Sequence, residues 1–183
     1  ADFSDSTEHW YIYKSQDSHA EFDVETGEGT VNVLSQPGSP NTVSLINSGI
    51  QLESKRAYRV SFDAYADSAR AIDASVMQGY DPWIWRPYSE INTFQITTEK
   101  TRYQFYFMLN EPTDHNARLR FDMGHSKSKI YIDNVKIEDL VNANDTSHKK
   151  ISVVVKDIET DDLLENATIS IAGNETLSSA SGE

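Results

Sequence analysis

The feature that most constrains the fold of this chain is the alternation of apolar and polar residues along many short stretches. The clearest alternation runs through 57–66, where Tyr58, Val60 and Phe62 share one side and polar residues dominate the other. A period of two indicates a strand that buries one face in a core. Further stretches of this kind lie at 10–13, 20–25, 30–34, 42–52, 71–78, 93–97, 102–109, 116–123 and 130–137. No convincing amphipathic helix lies between them, so the sequence predicts an all-β sandwich or jelly roll.

The polar side of the stretch 116–123 is unusual for such a strand. It carries two arginines and one aspartate: Arg118, Arg120 and Asp122. Two interpretations stay open, because these side chains either form a solvated face or form a row of hydrogen-bonding groups for a polar ligand. Beyond the next turn the alternation resumes out of phase at Val135, which predicts a β-bulge around Asp133 and Asn134.

Charge and composition exclude several classes of partner. The chain has 183 residues and a formal net charge of −13, and it contains no cysteine. Nucleic-acid backbones and anionic membrane surfaces repel a polyanion, so neither is expected as a partner. The lack of cysteine removes disulfides and thiolate chemistry, and no apolar run is long enough to span a bilayer. The motifs of serine hydrolases, zinc proteases and phosphate loops do not occur either.

The composition changes after the last of these stretches. Residues 141–150 are polar and aperiodic, which indicates a linker. Beyond them, 151–155 and 167–171 alternate again, and this segment resembles the opening of small immunoglobulin-like modules. Two strands alone are marginally stable. We therefore expect 151–183 to be the truncated start of a second β domain that follows a first domain over 1–140.

Several blocks of the first domain carry a family resemblance. Their order and spacing are similar to those of the carbohydrate-binding modules of families four and nine: YRVSFDAYAD, RAIDASV, ITTEKTRYQFYFML, TDHNARLRFDMG and IYIDNVKIED. The opening ADFSDSTEHW is similar to the first segment of that family, with its core Trp. The resemblance covers 1–140 and implies a jelly-roll β-sandwich that binds glycan chains on a concave face or in a cleft.

The same resemblance implies a function and a setting. Members of the family are non-catalytic modules appended to secreted glycoside hydrolases. We therefore expect an extracellular bacterial module that targets a catalytic domain of the same full-length chain to a plant-type polysaccharide, either a β-glucan or a xylan. Two rivals stay open, namely a structural or adhesion module that binds a protein partner and a glycoside hydrolase whose site lies on this sandwich.

A sugar site needs flat aromatic surfaces for the C–H faces of the rings and polar side chains for the hydroxyls. The loop 79–88 offers the aromatic part, because it holds Tyr80, Trp83, Trp85 and Tyr88. Its two prolines restrict the loop and so reduce the entropy lost on binding. Trp83 and Trp85 alternate, so we expect at most one of them to contact a ligand. The alternative is that a Trp folds back and caps the sandwich.

The polar part of the expected glycan site lies on the strands. Its candidates are Arg118, Arg120, Asp122, Asp63, Tyr65 and Gln78. The outer members of the Arg–Arg–Asp row match family positions that face the ligand, and the resemblance places the strand of Asp63 and Tyr65 beside that row. The alternative is surface solvation, or a cross-strand Arg–Asp pair worth at most ~1 kcal/mol. The chain departs from the family at Asn41 and Ser44, where many members carry Trp and Gln.

A structural calcium ion is the one cofactor that the resemblance implies. Family members often bind it through the Asp that this chain has as Asp133, together with oxygens of the N-terminal segment, here Asp2 and Ser4. Calcium prefers six to eight oxygen ligands at ~2.3–2.6 Å. The chain has Ser4 where family members often carry Glu, which weakens the expected site. The alternative is that Asp133 ties down the bulge through hydrogen bonds to backbone N–H groups.

Overall fold

The computed structural model describes residues 3, 7, 9–15, 17–34, 38–79, 86–140, 157, 160, 168–171 and 174–177. The chain forms two compact units, Ala1–Asn142 and Ala143–Glu183. In the described residues, helix is confined to a short 3-10 turn at Pro40–Thr42. None of these residues belongs to a helix long and apolar enough to cross a membrane.

Two antiparallel sheets build the described part of the first unit. Their strands are β1 Trp10–Lys14, β2 Ala20–Glu25, β3 Glu28–Val33, β4 Val43–Leu52, β5 Ala57–Ala66, β6 Arg70–Met77, β7 Asn92–Ile96, β8 Thr101–Met108, β9 Asp114–Asp122 and β10 Ile130–Asp139. The front sheet has the order β1-β4-β9-β6-β7, and the back sheet has the order β2-β3-β10-β5-β8. Strands that follow one another along the chain repeatedly change sheet, as in a jelly roll. The predicted all-β jelly-roll sandwich is confirmed.

The alternation in β5 and β9 brings apolar side chains from both sheets into one core. Phe62 of β5 and Phe121 of β9 are fully buried, and their rings meet edge to face with centroids 4.9 Å apart. Burial of an aromatic side chain of this kind stabilises a fold by roughly 1.5–3 kcal/mol. Because successive side chains of a strand point to opposite faces, the polar residues of β5 and β9 lie on the outward faces of their sheets.

Phe3 and Trp10 close the core at one edge. Both side chains are buried, and their ring centroids lie 5.1 Å apart. Trp10 also stacks on Phe121 of the front sheet. Gly29 of β3 makes room for this plug, because a Cβ at that position would lie 2.8 Å from Cζ of Phe3.

The predicted bulge in β10 is confirmed. The register between β10 and β5 shifts between Asp133 and Lys136. Asn134 inside this shift has a φ of 50°, a left-handed conformation that Asn tolerates better than most residues. The bulge turns the Asp133 carboxylate and the Asn134 amide toward the outward face of the back sheet, where both contact their neighbours.

The turn between β2 and β3 lies two residues earlier than the sequence suggests. The pair Glu28–Gly29 reads as a turn in the sequence, but both residues belong to β3, and Glu25 pairs with Glu28. The two central residues are Thr26 and Gly27, with φ values of 52° and 85°. Tight two-residue hairpins of this kind favour positive φ at both central positions, which Gly27 adopts without strain.

The strands described in the second unit form one antiparallel pair, β11 Thr168–Ile171 and β12 Asn174–Leu177. The sequence predicts the first of these strands but assigns its partner to 151–155, which lies outside the described residues. In the structure β12 is a partner of β11.

Candidate functional site

A row of polar side chains crosses all five strands on the outward face of the front sheet. The strand registers align Tyr13, Ser44, Asp122, Asp73 and Thr93 side by side. Neighbouring strands lie about 4.8 Å apart, so this row is about 19 Å long. A second row, one step along the strands, consists of Tyr11, Ile46, Arg120 and Ser75. We call this face the cleft face, because a cavity of about 390 Å³ opens on it.

The cavity lies over the middle of the two rows. Its lining combines carboxylate, guanidinium, hydroxyl and apolar groups: Pro40, Asn41, Asp73, Ser75, Met77, Ile91, Arg120 and Asp122. Apolar surface with a few convergent polar groups is typical of a ligand-binding site. The cavity therefore marks the cleft face as the candidate site.

Arg120 is fixed at the centre of the cleft face. Its Nε donates hydrogen bonds to Asp122 Oδ1 (2.5 Å) and to Ser44 Oγ (3.2 Å). The Ser44 hydroxyl donates in turn to the same Asp122 oxygen (2.5 Å). All three side chains are largely buried, and charge-assisted hydrogen bonds of this kind are strong. The guanidinium plane is therefore oriented before any ligand arrives, which lowers the entropy lost on binding.

Asp73 places a second carboxylate next to Asp122. The two residues face each other across β6 and β9, and Thr93 Oγ1 donates to Asp73 Oδ1 (2.7 Å). In the described part of the chain, no group donates to the second carboxylate oxygen of either residue. These two oxygens can accept hydrogen bonds from ligand hydroxyls.

Two exposed tyrosines border the cleft face on β1. Trp10 and Ile12 of this strand face the core, so Tyr11 and Tyr13 point to the cleft face, with exposed fractions of 42% and 46%. Their rings offer the flat apolar surface that the C–H face of a sugar requires. Neither tyrosine was predicted as a site residue, although the alternation within WYIY already places both on the side opposite Trp10. Only the pairing of β1 with β4 and of β4 with β9 puts that side on the same sheet face as Arg120, with Ile46 between Tyr11 and Arg120.

Arg118 and Gln78 lie at the margin of the cleft face. Arg118 is buried, and its Nη2 contacts Met77 Sδ at 3.3 Å. Gln78 follows β6 directly and is also buried, and its Oε1 accepts no hydrogen bond from a described residue. The structure thus brings Arg118, Arg120 and Asp122 to one face, as the alternation predicts. Neither Arg118 nor Gln78 is among the described residues that line the cavity.

The prediction that Asp63 and Tyr65 lie beside β9 is wrong. Both residues belong to β5, which is a strand of the back sheet, so their side chains face outward on the opposite side of the sandwich. Asp63 accepts hydrogen bonds from Arg102 (3.4 Å) and Asn134 (2.8 Å). Tyr65 stacks on Tyr131 with ring centroids 4.4 Å apart. Alternation reports which residues face the core, but it does not report which sheet a strand joins.

The aromatic loop lies partly outside the described residues. Tyr80, Trp83 and Trp85 fall in that part, so their roles stay predictions. Tyr88 is described, and it packs against the core while its hydroxyl donates to Asp114 Oδ2 (2.7 Å). This aromatic residue of the loop therefore supports the sandwich.

The described residues around Asp133 do not fit a calcium ion. Asp133 Oδ1 accepts from the backbone N–H of Asn134 (2.7 Å), and Oδ2 accepts from Lys100 Nζ (2.8 Å) and Asn134 Nδ2 (3.2 Å). Calcium requires a shell of oxygens, whereas each of these partners is an N–H donor. Asp2 and Ser4 lie outside the described residues, and within the described ones no group of three or more His, Asp or Glu side chains could hold a metal. Because the expected ligands Asp2 and Ser4 are not described, the calcium ion itself stays a prediction.

Together, the fold and the face define a class of protein. Two antiparallel sheets form a jelly-roll sandwich, and one outward face combines an open polar row, a cavity and exposed aromatic rings. This arrangement is that of a β-sandwich module with one sheet face whose chemistry suits a polar ligand.

Comparison with known proteins gives the family. The family described as "Carbohydrate binding domain" (CBM_4_9) matches residues 1–129, and this chain belongs to it. The chain is similar in fold to a solved structure described as "CBM4 structure and function", with 23% identity over 71% of this chain and 86% of that chain and a TM-score of 0.63. Comparison with curated proteins found no match.

Two further solved structures have a similar fold. One is the N-terminal cellulose-binding domain of β-1,4-glucanase C from Cellulomonas fimi, with 19% identity over 76% of this chain and 94% of that chain and a TM-score of 0.59. The other is the CBM22-1 xylan-binding domain of Xyn10C from Paenibacillus barcinonensis, with 9% identity over 75% of this chain and 90% of that chain and a TM-score of 0.56.

Proposed function

We propose that this chain is a non-catalytic module that binds a neutral β-glucan or xylan chain on the cleft face. The observation that carries the proposal is the polar row, which crosses five strands and includes the exposed Tyr13, with the exposed Tyr11 on the same strand. A row about 19 Å long suits an extended oligosaccharide better than a single sugar. Its hydroxyl, carboxylate and guanidinium groups complement sugar hydroxyls, which both donate and accept.

The charge of the cleft face supports a neutral polymer. Asp73 and Asp122 contribute two carboxylates to the cavity, and the whole chain carries a net charge of −13. Polymers of uronic acids would meet like charge on approach and next to both aspartates. Glucans and xylans without acidic groups avoid this repulsion. The cellulose-binding and xylan-binding neighbours in the fold comparison agree with such ligands.

The proposal extends to the setting of the module. We infer that it is secreted by a bacterium and that it directs a glycoside hydrolase domain in the same full-length chain to plant-type polysaccharide. Membership of the carbohydrate binding domain family supports this setting, and so does the presence of a second compact unit at 143–183. Such attachment raises the effective concentration of a catalytic domain at its substrate.

Binding should depend on the tyrosines of β1, and a matched variant tests this. Tyr13→Ala removes a stacking surface from the cleft face and should weaken binding by about 1–3 kcal/mol, the range found for interface aromatics. Tyr106→Ala is the control, because Tyr106 is 57% exposed but lies on β8 of the back sheet. Affinity electrophoresis and calorimetry with β-glucan, xylan and polygalacturonate measure the effect.

Four outcomes would contradict the proposal. Equal losses in both tyrosine variants would remove the cleft face as the site. Retention by polygalacturonate alone would overturn the preference for a neutral polymer. Release of reducing sugars from any polysaccharide would indicate a hydrolase, whereas no retention by any polysaccharide would favour the module that binds a protein partner.

A further inference from the structure

Lys100 links two carboxylates on the outward face of the back sheet. Its Nζ lies 2.7 Å from Glu28 Oε1 and 2.8 Å from Asp133 Oδ2. Both acidic side chains are mostly enclosed, with exposed fractions of 15% and 14%. Lys100 directly precedes β8, whereas Glu28 begins β3 and Asp133 lies at the bulge of β10. The ammonium therefore joins three parts of the chain that are distant in sequence.

The strand register forces the two carboxylates together. Gly29 pairs with Ile132 across β3 and β10, so the preceding and following residues, Glu28 and Asp133, are neighbours. Asp63 pairs with Asp133 on the other side, which makes a row of three carboxylates on adjacent strands. Like charges this close destabilise a fold unless a cation lies between them. The Lys100 ammonium supplies that cation, because its Nζ lies within hydrogen-bond distance of both Glu28 and Asp133.

Other side chains of the back sheet also donate hydrogen bonds to these carboxylates. The Tyr65 hydroxyl donates to Glu28 Oε2 (2.6 Å), which raises the pKa of Tyr65 to about 12. The Asn134 side-chain amide donates to Asp63 Oδ2 (2.8 Å) and to Asp133 Oδ2 (3.2 Å). Each carboxylate of the row thus has N–H or O–H partners within the described residues.

We propose that the Lys100 ammonium takes the place of a structural divalent cation between Glu28 and Asp133, so that the sandwich needs no calcium there. The cation that the family resemblance leads one to expect at Asp133 is supplied by the chain itself. A flexible ammonium and a metal ion cannot both use Glu28 Oε1 and Asp133 Oδ2. Removal of the ammonium should therefore leave a pair of carboxylates able to attract Ca²⁺. This inference concerns the back sheet and does not depend on the proposed glycan site.

Thermal melting of the full chain in excess Ca²⁺ or excess EDTA tests the inference. The unmodified protein should melt at the same temperature in both. Lys100→Ala should melt several degrees lower in EDTA, and Ca²⁺ should restore a large part of the loss, because the ion binds the folded state. Lys129→Ala is the matched control, since Lys129 contacts the single carboxylate of Glu25 (2.7 and 2.8 Å). It should change little and should not respond to Ca²⁺.

A second readout uses Tb³⁺ as the probe. The ring of Tyr65 lies next to Glu28, so Tb³⁺ bound in Lys100→Ala should emit when tyrosine is excited, and emission should be several-fold stronger than in the unmodified protein. Should Lys100→Ala fail to fold, Lys100→Gln carries the same two comparisons, because it removes the charge but keeps a hydrogen-bond donor. A melting temperature of the unmodified protein that rises with Ca²⁺ and falls with EDTA would overturn the inference. If neither Lys100→Ala nor Lys100→Gln responds to Ca²⁺ in its melting temperature or to Tb³⁺ in its emission, the inference is overturned as well. Lys100 would then form only an ordinary ion pair.

Discussion

Arg120 is a buried charge that its neighbours hold in a fixed orientation on the cleft face. A guanidinium removed from water destabilises a fold unless its donors find acceptors. Asp122 and Ser44 supply acceptors to its Nε from two neighbouring strands. Ser44 is fully buried, and its hydroxyl accepts from Arg120 and donates to Asp122. The three side chains therefore hold one another in place on the cleft face.

Arg120→Lys should weaken glycan binding without unfolding the protein. Lysine keeps the charge but lacks the planar guanidinium group, whose several N–H donors have fixed directions. We expect a loss on the order of tenfold in affinity, equivalent to about 1.4 kcal/mol. Arg102→Lys is the control, because Arg102 contacts Ser61 and Asp63 on the back sheet. Calorimetric titration with the bound polysaccharide measures both, and equal affinity for Arg and Lys at position 120 would reduce Arg120 to a structural charge.

At the scale of the element, β3 depends on the segment that precedes the first strand. The Phe3 ring lies on Gly29 and packs against Trp10 and Phe22. The glycine is needed for this close approach, because a side chain at position 29 would collide with the ring. The N-terminal plug and the start of the back sheet thus form one packing unit, although the sequence separates them.

Gly29→Ala should destabilise the first unit. The new methyl group would lie 2.8 Å from Phe3 Cζ, and either the ring or β3 must move within a packed core. Overpacking of this kind usually destabilises by about 1–3 kcal/mol. Gly38→Ala is the control, because the nearest side-chain atom there would lie at 3.7 Å. Urea unfolding compares the two variants, and equal midpoints would show that the Phe3 plug adapts freely.

At the scale of the whole molecule, the two faces of the sandwich carry different chemistry. The front sheet presents carboxylate oxygens and tyrosine rings that are open to a ligand. On the back sheet, the carboxylates of Glu28, Asp63 and Asp133 are already paired with lysine, arginine, asparagine and tyrosine side chains. The first arrangement suits recognition, and the second suits stability, because its polar groups already have partners.

A chain that ends at Asn142 should fold and bind glycan with unchanged affinity. All residues of the cleft face belong to the unit Ala1–Asn142, which is compact without 143–183. Circular dichroism and calorimetric titration of the shortened and full chains test this. A shortened chain that folds but binds at least several-fold more weakly would show that the second unit contributes to the site.

Local sequence pattern was sufficient to predict the ten strands of the sandwich, its core and the bulge, although not the turn between β2 and β3. The alternation through Phe62 and Phe121 predicted which side chains are buried, and the phase shift before Val135 predicted the bulge. Both follow from side-chain period, which depends only on neighbours along the chain. The same logic placed Arg118, Arg120 and Asp122 on one outward face.

The tertiary structure alone decided which outward faces lie together. It placed Asp63 and Tyr65 on the back sheet, put Tyr11 and Tyr13 on the same sheet face as Arg120, and brought Lys100 to Asp133. These neighbours depend on pairing between strands far apart in sequence, and a period of two is the same in either sheet. The sequence by itself therefore determined which side chains face the core, whereas long-range strand pairing determined which side chains share an outward face.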